Sequence, residues 1–197
     1  MNRKKAVLKI ILKSDLCVAS GYAFMGSIDS DVCYNENGIP YIPGRRLKGC
    51  LREAGELIGI SNIETIFGAG GDNKIRGVWI DNAYPEGFEQ LNFELTEVKL
   101  TDSPYAKYLT QQKVLEYYTR IVSNTQIEEE TGTAKKNSLR YTRVVNQFLP
   151  QKEEPMCFFA KIEFDCDKEQ LENTVKALRH IGLNRNRGFG NIECQFV

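Results

Sequence analysis

Histidine is nearly missing from this 197-residue chain, with His180 its sole representative. A mechanism that passes protons between two histidines is therefore excluded. Net charge is missing too, because 26 basic residues face 26 acidic ones. With no global field to draw in a polyanion, a nucleic-acid site has to come from local clustering of Lys and Arg. Long apolar runs are also absent. The basic residues 3–5 lead only into a short apolar stretch interrupted by Lys9 and Lys13, so a soluble, cytoplasmic protein without a membrane partner is expected. Cys17, Cys33, Cys50, Cys157, Cys166 and Cys194 contain no pair at the two-residue spacing of a zinc knuckle. Reduced, buried thiols are predicted in their place, and no zinc. The glycine cluster around Gly68, Gly70 and Gly71 lacks the lysine and hydroxyl residue of a phosphate-cradling loop, so no nucleotide cofactor is predicted.

What is present is an apolar share of 42%, enough for one core, at a length that suits one domain over residues 1–197. Residues 5–13 alternate Leu8, Ile10 and Leu12 against Val7, Lys9, Ile11 and Lys13, which predicts a strand with one deeply buried face. An extended segment is expected at 27–34 and a turn at 35–38. Pro40 and Pro43 hold the next stretch out of helix. From Arg45 to Ile58 the apolar residues Leu47, Cys50, Leu51, Ala54, Leu57 and Ile58 recur at helical spacing. A short helical turn at 63–67, strands at 77–81 and 93–100, and a helix at 105–120 follow. Residues 121–151 read as a long exposed hairpin with a polar tip at 128–136. A core strand at 156–164, an amphipathic helix at 171–181 and a closing strand at 192–197 complete the chain. The order predicts an α+β, ferredoxin-like or RRM-like βαββαβ sandwich carrying an inserted β-hairpin.

Three groups of residues have chemical potential. Arg45, Arg46 and Lys48 fall in the first turn of the first long helix, where the helix dipole makes each cation unfavourable by about 0.3–1 kcal/mol. Either they hold an anion at the free amides of that turn, or they form a solvated basic face. Arg52 lies one turn on and extends the track. Arg185 and Arg187 sit in the glycine-rich run from Gly182 to Gly190, which suits either a backbone approach to phosphate or a tight connection. Asp29 and Asp31 straddle Ser30, so in an extended segment both carboxylates face one way, towards a metal ion, a ribose hydroxyl or solvent. His180 is expected near a helix C-terminus.

The run from Gly38 through Ile39, Pro40, Tyr41, Ile42, Pro43, Gly44, Arg45, Arg46, Leu47, Lys48 and Gly49 to Glu53 resembles the first block of the RAMP superfamily of CRISPR-associated proteins. Ile66, Phe67 and Gly68 followed by residues 77–81 are similar to its next segment, and Gly182 to Gly190 to its terminal glycine motif. Residues 125–127, 131–134 and 138–145 resemble the thumb of type III backbone subunits, with a III-D flavour. The resemblance implies a subunit that lies along a guide RNA beside neighbouring RAMP subunits and meets a target RNA. It implies RNA contacts from Arg45, Arg46, Lys48, Arg52, Arg185 and Arg187, and from Thr125, Gln126 and Arg140 of a thumb at about 121–151. It further implies metal-dependent target cutting, with Asp29 as the catalytic and Mg²⁺-holding carboxylate and Asp31 as the fallback. A non-cutting structural subunit and a guide-processing endoribonuclease are the alternatives.

Overall fold

The computed structural model describes residues 3–19, 21, 28–69, 77–101 and 103–197. Strand β1 (Lys4–Leu12) is followed by helices α1 (Gly44–Leu57) and α2 (Ile63–Phe67) and by short strands β2 (Trp79–Ile80) and β3 (Tyr84–Pro85). Helices α3 (Phe88–Leu100) and α4 (Gln111–Tyr118) precede a hairpin of β4 (Thr119–Asn124) and β5 (Arg140–Val145). The chain ends with β6 (Cys157–Phe164), α5 (Lys168–Ala177), a 3₁₀ turn (Arg185–Arg187) and β7 (Ile192–Phe196).

The main sheet runs β2-β6-β1-β7, with β3 also paired to β6, and its pairings are antiparallel. Counting β2 and β3 as one interrupted strand, this is the ferredoxin-like order. The alternation in β1 sets the register: Leu8 lies opposite Ala160, Ile10 opposite Phe158 and Cys194, and Leu12 opposite Ile192. All of these side chains are buried under α1 and α5, which pack together through Leu47, Leu51, Ala54, Leu171, Thr174 and Val175. Burial of this apolar face is the main driving force for the sandwich. On the opposite face of the sheet, the Lys9 ammonium lies 5.8 Å from the centre of the Phe159 ring.

Several expectations are corrected. Residues 93–100 are helical, not a strand, because the side chains that pack are Leu91 and Leu95, four apart, while Phe93 and Leu100 are 62% and 75% exposed. The apparent alternation counted solvent-facing residues as core. In the same way Leu57 and Ile58 extend the apolar pattern of α1 but are solvent-exposed. The helix expected at 105–120 is confined to α4, which starts where the Thr110 hydroxyl accepts the Lys113 amide. Helix α5 stops at Ala177, and His180 forms an isolated bridge with Asn191 beyond it. Residues 28–34 form no continuous ladder, only isolated bridges such as Ala19–Val32 and Ser30–Thr142. Residue 27 and the glycines at 70 and 71 lie outside the described residues. The expected hairpin is present, but its ladder opens at Thr119 and closes at Val145, and Ile127 bridges Ala134 towards the tip.

Candidate nucleic-acid interface

Helix α1 begins abruptly because Pro40 and Pro43 cannot continue a helix from the preceding side. Gly44 is required there: a Cβ would lie 2.2 Å from the Ile80 carbonyl oxygen. Its amide donates to Asn82 Oδ1 at 3.0 Å, which anchors the helix start to the loop after β2. No acidic residue occupies the first turn, so the cations there are not neutralised by their own helix.

Those cations divide between two sides of α1. Arg46, Cys50 and Glu53 are spaced along one side, and this side meets the C-terminal glycine turn, where Arg185 Nη1 donates to Glu53 Oε2 at 3.3 Å. Arg46 also acts electrostatically on Cys17 and Cys33, next to the segment carrying Asp31. Lys48 and Arg52 turn towards Arg3 instead. Burial first, and then the charges of Arg3 and Arg52, push the Lys48 pKa below its ordinary value. Arg52 is committed to the fold, with Nε on Glu56 Oε1 at 3.0 Å and Nη1 on the Gly68 carbonyl at 3.2 Å. The single basic track expected along α1 is thus split, and Arg52 holds α2 in place. Arg45 is exposed at the helix start.

The glycine turn also meets the hairpin, at the tip-side end of its ladder. Gly190 makes this possible: it has φ +71°, and a Cβ there would lie 1.9 Å from the Ile181 carbonyl oxygen. Its amide donates to the Asp15 carbonyl at 2.8 Å, tying the turn to the end of β1. Arg185 and Arg187 then face Arg140 across a depression of about 500 Å³. A second depression, of about 350 Å³, is lined by Thr125, Gln126, Lys135, Lys136, Arg140 and Arg187 among others. Among the described residues, Arg45, Arg46, Lys135, Lys136, Arg140 and Arg187 form no ion pair. Concentrated cations without carboxylates describe a surface suited to a phosphate chain. Sequence reasoning missed Lys135 and Lys136, which it treated only as part of a polar tip.

The two aspartates have different surroundings. Asp29 is exposed, and its Oδ2 accepts the Tyr141 amide at 2.7 Å, leaving Oδ1 without a partner among the described residues. Asp31 is 3% exposed, and its Oδ1 accepts both the Val32 amide at 2.8 Å and Arg143 Nε at 3.0 Å. A third aspartate, Asp15, accepts the Gln147 amide at 2.8 Å and a forked pair of bonds from Arg120, Nε at 2.9 Å. All three carboxylates hold the hairpin, Asp15 at its base and Asp31 and then Asp29 further along β5 towards the tip. Sequence reasoning missed Asp15 and Arg143, because nothing in local spacing signals a partner more than 100 residues away. Among the described residues, no three His, Cys, Asp or Glu side chains cluster as a metal site. His180 is exposed and bridges Asn191 just before β7.

The six thiols are free and at least half-buried. Burial is the main cause that raises the Cys17 pKa to about 11 and the Cys194 pKa to about 12. No helix among the described residues is long and apolar enough to cross a membrane.

No functionally curated protein matches the chain in sequence. Solved structures do match in shape. A chain of the type III-B Cmr-beta cryo-EM structure bound to cognate target RNA superposes with a TM-score of 0.69 at 12% identity, covering 98% of this chain and 97% of that one. A chain of the apo-state type III-B Cmr-beta cryo-EM structure gives a TM-score of 0.64 at 14% identity, again over 98% and 97%. At such identities the likeness establishes the fold. The family comes from sequence: the RAMP superfamily model matches residues 9–193, taking in the proline-bounded helix start, both hairpin strands and the terminal glycine turn. The chain belongs to the RAMP superfamily.

Proposed function

We propose that this protein is a guide-RNA-binding backbone subunit of a type III CRISPR ribonucleoprotein, and that it cuts target RNA with Asp29. The observation that carries the RNA-binding reading is the gathering of Arg140, Arg185 and Arg187 with Lys135 and Lys136 where the glycine turn meets the tip-side end of the hairpin ladder; of these five, Arg185 alone has a carboxylate partner, Glu53 of α1. Arg46, Arg185, Arg187 and Arg140 grip guide phosphates, while Thr125, Gln126, Lys135 and Lys136 on the thumb meet the guide–target duplex. Arg45 and Lys48 add charge at the helix start. The subunit's neighbours are other RAMP proteins of the same particle, in line with the type III-B assemblies to which its fold is similar.

Asp29 is the better cutting candidate of the two aspartates because Asp31 is buried and committed to Arg143. RNA supplies its own nucleophile, the 2′-hydroxyl, so alignment of that oxygen with the neighbouring phosphate provides much of the acceleration. The free Asp29 oxygen either takes the hydroxyl proton or holds the metal ion; the 2′-oxygen bonds to phosphorus as the bond to the 5′-oxygen breaks, and the products are a cyclic phosphate and a 5′-hydroxyl that picks up a proton from water. Mg²⁺ keeps several waters and is commonly held by one or two carboxylates together with substrate phosphates, so one free Asp29 oxygen fits it once RNA is present. When bound, the ion stabilises charge on the phosphate.

In a second reading the subunit binds RNA and another protein cuts, with Asp29 serving only to fix its loop to β5 by accepting the Tyr141 amide. The experiment that decides between them is target cleavage by the assembled complex carrying Asp29→Ala. Loss of fragments with unchanged assembly supports cutting by this subunit, whereas unchanged fragments establish the structural role.

A further inference from the structure

We propose that the buried Asp31–Arg143 pair is a positioning device that locks the loop carrying Asp29 onto strand β5, so that Asp29 takes its place from the thumb and not from the helix layer. This rests on the reading of Asp29 as the cutting carboxylate. The loop and β5 are joined by two kinds of contact. One is made by the backbone: the Asp29 amide donates to the Tyr141 carbonyl at 2.8 Å, and the Arg143 amide to the Ser30 carbonyl at 2.9 Å. The other is the side-chain pair, which continues from Arg143 Nη1 to Thr119 Oγ1 at 3.4 Å and from that hydroxyl to the Leu115 carbonyl at 2.6 Å. This chain of bonds links the Asp29 loop through β5 to the start of β4 and the end of α4.

A buried ion pair contributes little to stability compared with well-packed apolar residues, and its attested use is to select one arrangement over others. The segment here needs such selection. Residues 28–34 have only isolated bridges, so no long ladder sets their register. Tyr141 and Arg143 stand two apart on β5, as Asp29 and Asp31 do on the loop, and the residues pair in order. A slip of the loop along β5 would therefore break both contacts together. The consequence for function is that the cut is registered to the point where the thumb crosses the duplex.

The test is made in the assembled ribonucleoprotein with the double variant Asp31→Asn/Arg143→Met. Asn keeps the acceptor for the Val32 amide, Met keeps volume, and no charge is stranded, so the variant folds. Hydrogen exchange at residues 28–33 is expected to rise about tenfold or more, as an unlocked loop opens more often. Target cutting is expected to slow by about tenfold or more through misplacement of Asp29, with cuts scattering to neighbouring positions, while guide affinity stays within about twofold. Asp15→Asn releases Arg120 and is expected to raise exchange at 119–124 without moving 28–33. Unchanged exchange at 28–33 in the double variant overturns the proposal. If the wild-type complex cuts nothing while exchange at 28–33 still rises in the variant, the clamp stands and the catalytic reading of Asp29 fails.

Discussion

The sandwich and the thumb of this protein are held by different forces. In the sandwich, Leu8, Ile10, Leu12, Phe158, Ile162 and Phe164 are almost wholly buried, and the sheet register follows from which face each residue occupies. Beyond Val144 and Val145, which are buried at its base, the thumb exposes Ile121, Ile127, Leu139 and Tyr141 by 40% or more, and it is fixed by its own ladder and by polar contacts along β5 and at Arg120. Asp15 takes Arg120, Asp29 takes the Tyr141 amide and Asp31 takes Arg143. The difference separates two tasks. Apolar burial is strong but nearly non-directional, so it builds a body, while charged hydrogen bonds set an angle.

The comparison breaks most readily in the core. Phe158→Ala is expected to destabilise by about 3–5 kcal/mol in urea unfolding, and Ile127→Ala on the thumb to stay within about 0.5 kcal/mol. If the two changes cost the same, the thumb is part of the core and the distinction fails. Next in size is Arg143→Met alone, which strands the buried Asp31 charge and is expected to cost about 3–5 kcal/mol, more than the double change that removes both charges. Equal costs for the single and double variants would show that the pair is not electrically coupled.

A smaller effect is expected at the RNA surface. Each of Arg46→Ala, Arg140→Ala and Arg187→Ala removes one phosphate contact and should lower the salt slope of single-stranded RNA binding by about 0.7 per contact, with stability unchanged. Lys161→Ala on β6, whose ammonium pairs with Glu89 and lines neither depression, is the control whose slope should not move. The smallest effect concerns the thiols. Burial raises the Cys17 and Cys194 pKa values to about 11 and about 12, so thiolate is scarce below those values. Alkylation of the folded protein at pH 8 should therefore be slow at both, and should become fast in denaturant. Rapid modification in the native state would mean that the core opens.

Legibility in the sequence followed the same division. Leu8, Ile10 and Leu12 announced a buried strand because an alternating pattern has one physical solution when only one face meets a core. Helix α1 was legible within a residue, since Pro43 bars helix before it and Leu47, Leu51 and Ala54 supply the stripe. Helix α3 was misread because Phe93 and Leu100 are apolar yet exposed, and periodicity has no means of telling which apolar residues are buried. At the candidate site, the cations were identifiable by type, but their partners were not. Arg52 was grouped with Lys48 from helical spacing, and its bonds to Glu56 and the Gly68 carbonyl emerge only in the folded chain.

The amino-acid order alone determined the βαββαβ plan, the inserted hairpin and the places where positive charge accumulates, because these depend on contacts between residues near in sequence or on which face a repeating pattern presents. The three-dimensional fold alone decided that Asp29 is left exposed while Asp31 is buried against Arg143, and that Arg140 and Arg187 share a depression with Lys135 and Lys136. Those outcomes depend on chain segments more than 100 residues apart in some cases. Burial, hydrogen bonding and charge pairing act through space, and the same aspartate becomes a free carboxylate or a structural anchor according to what the fold brings beside it.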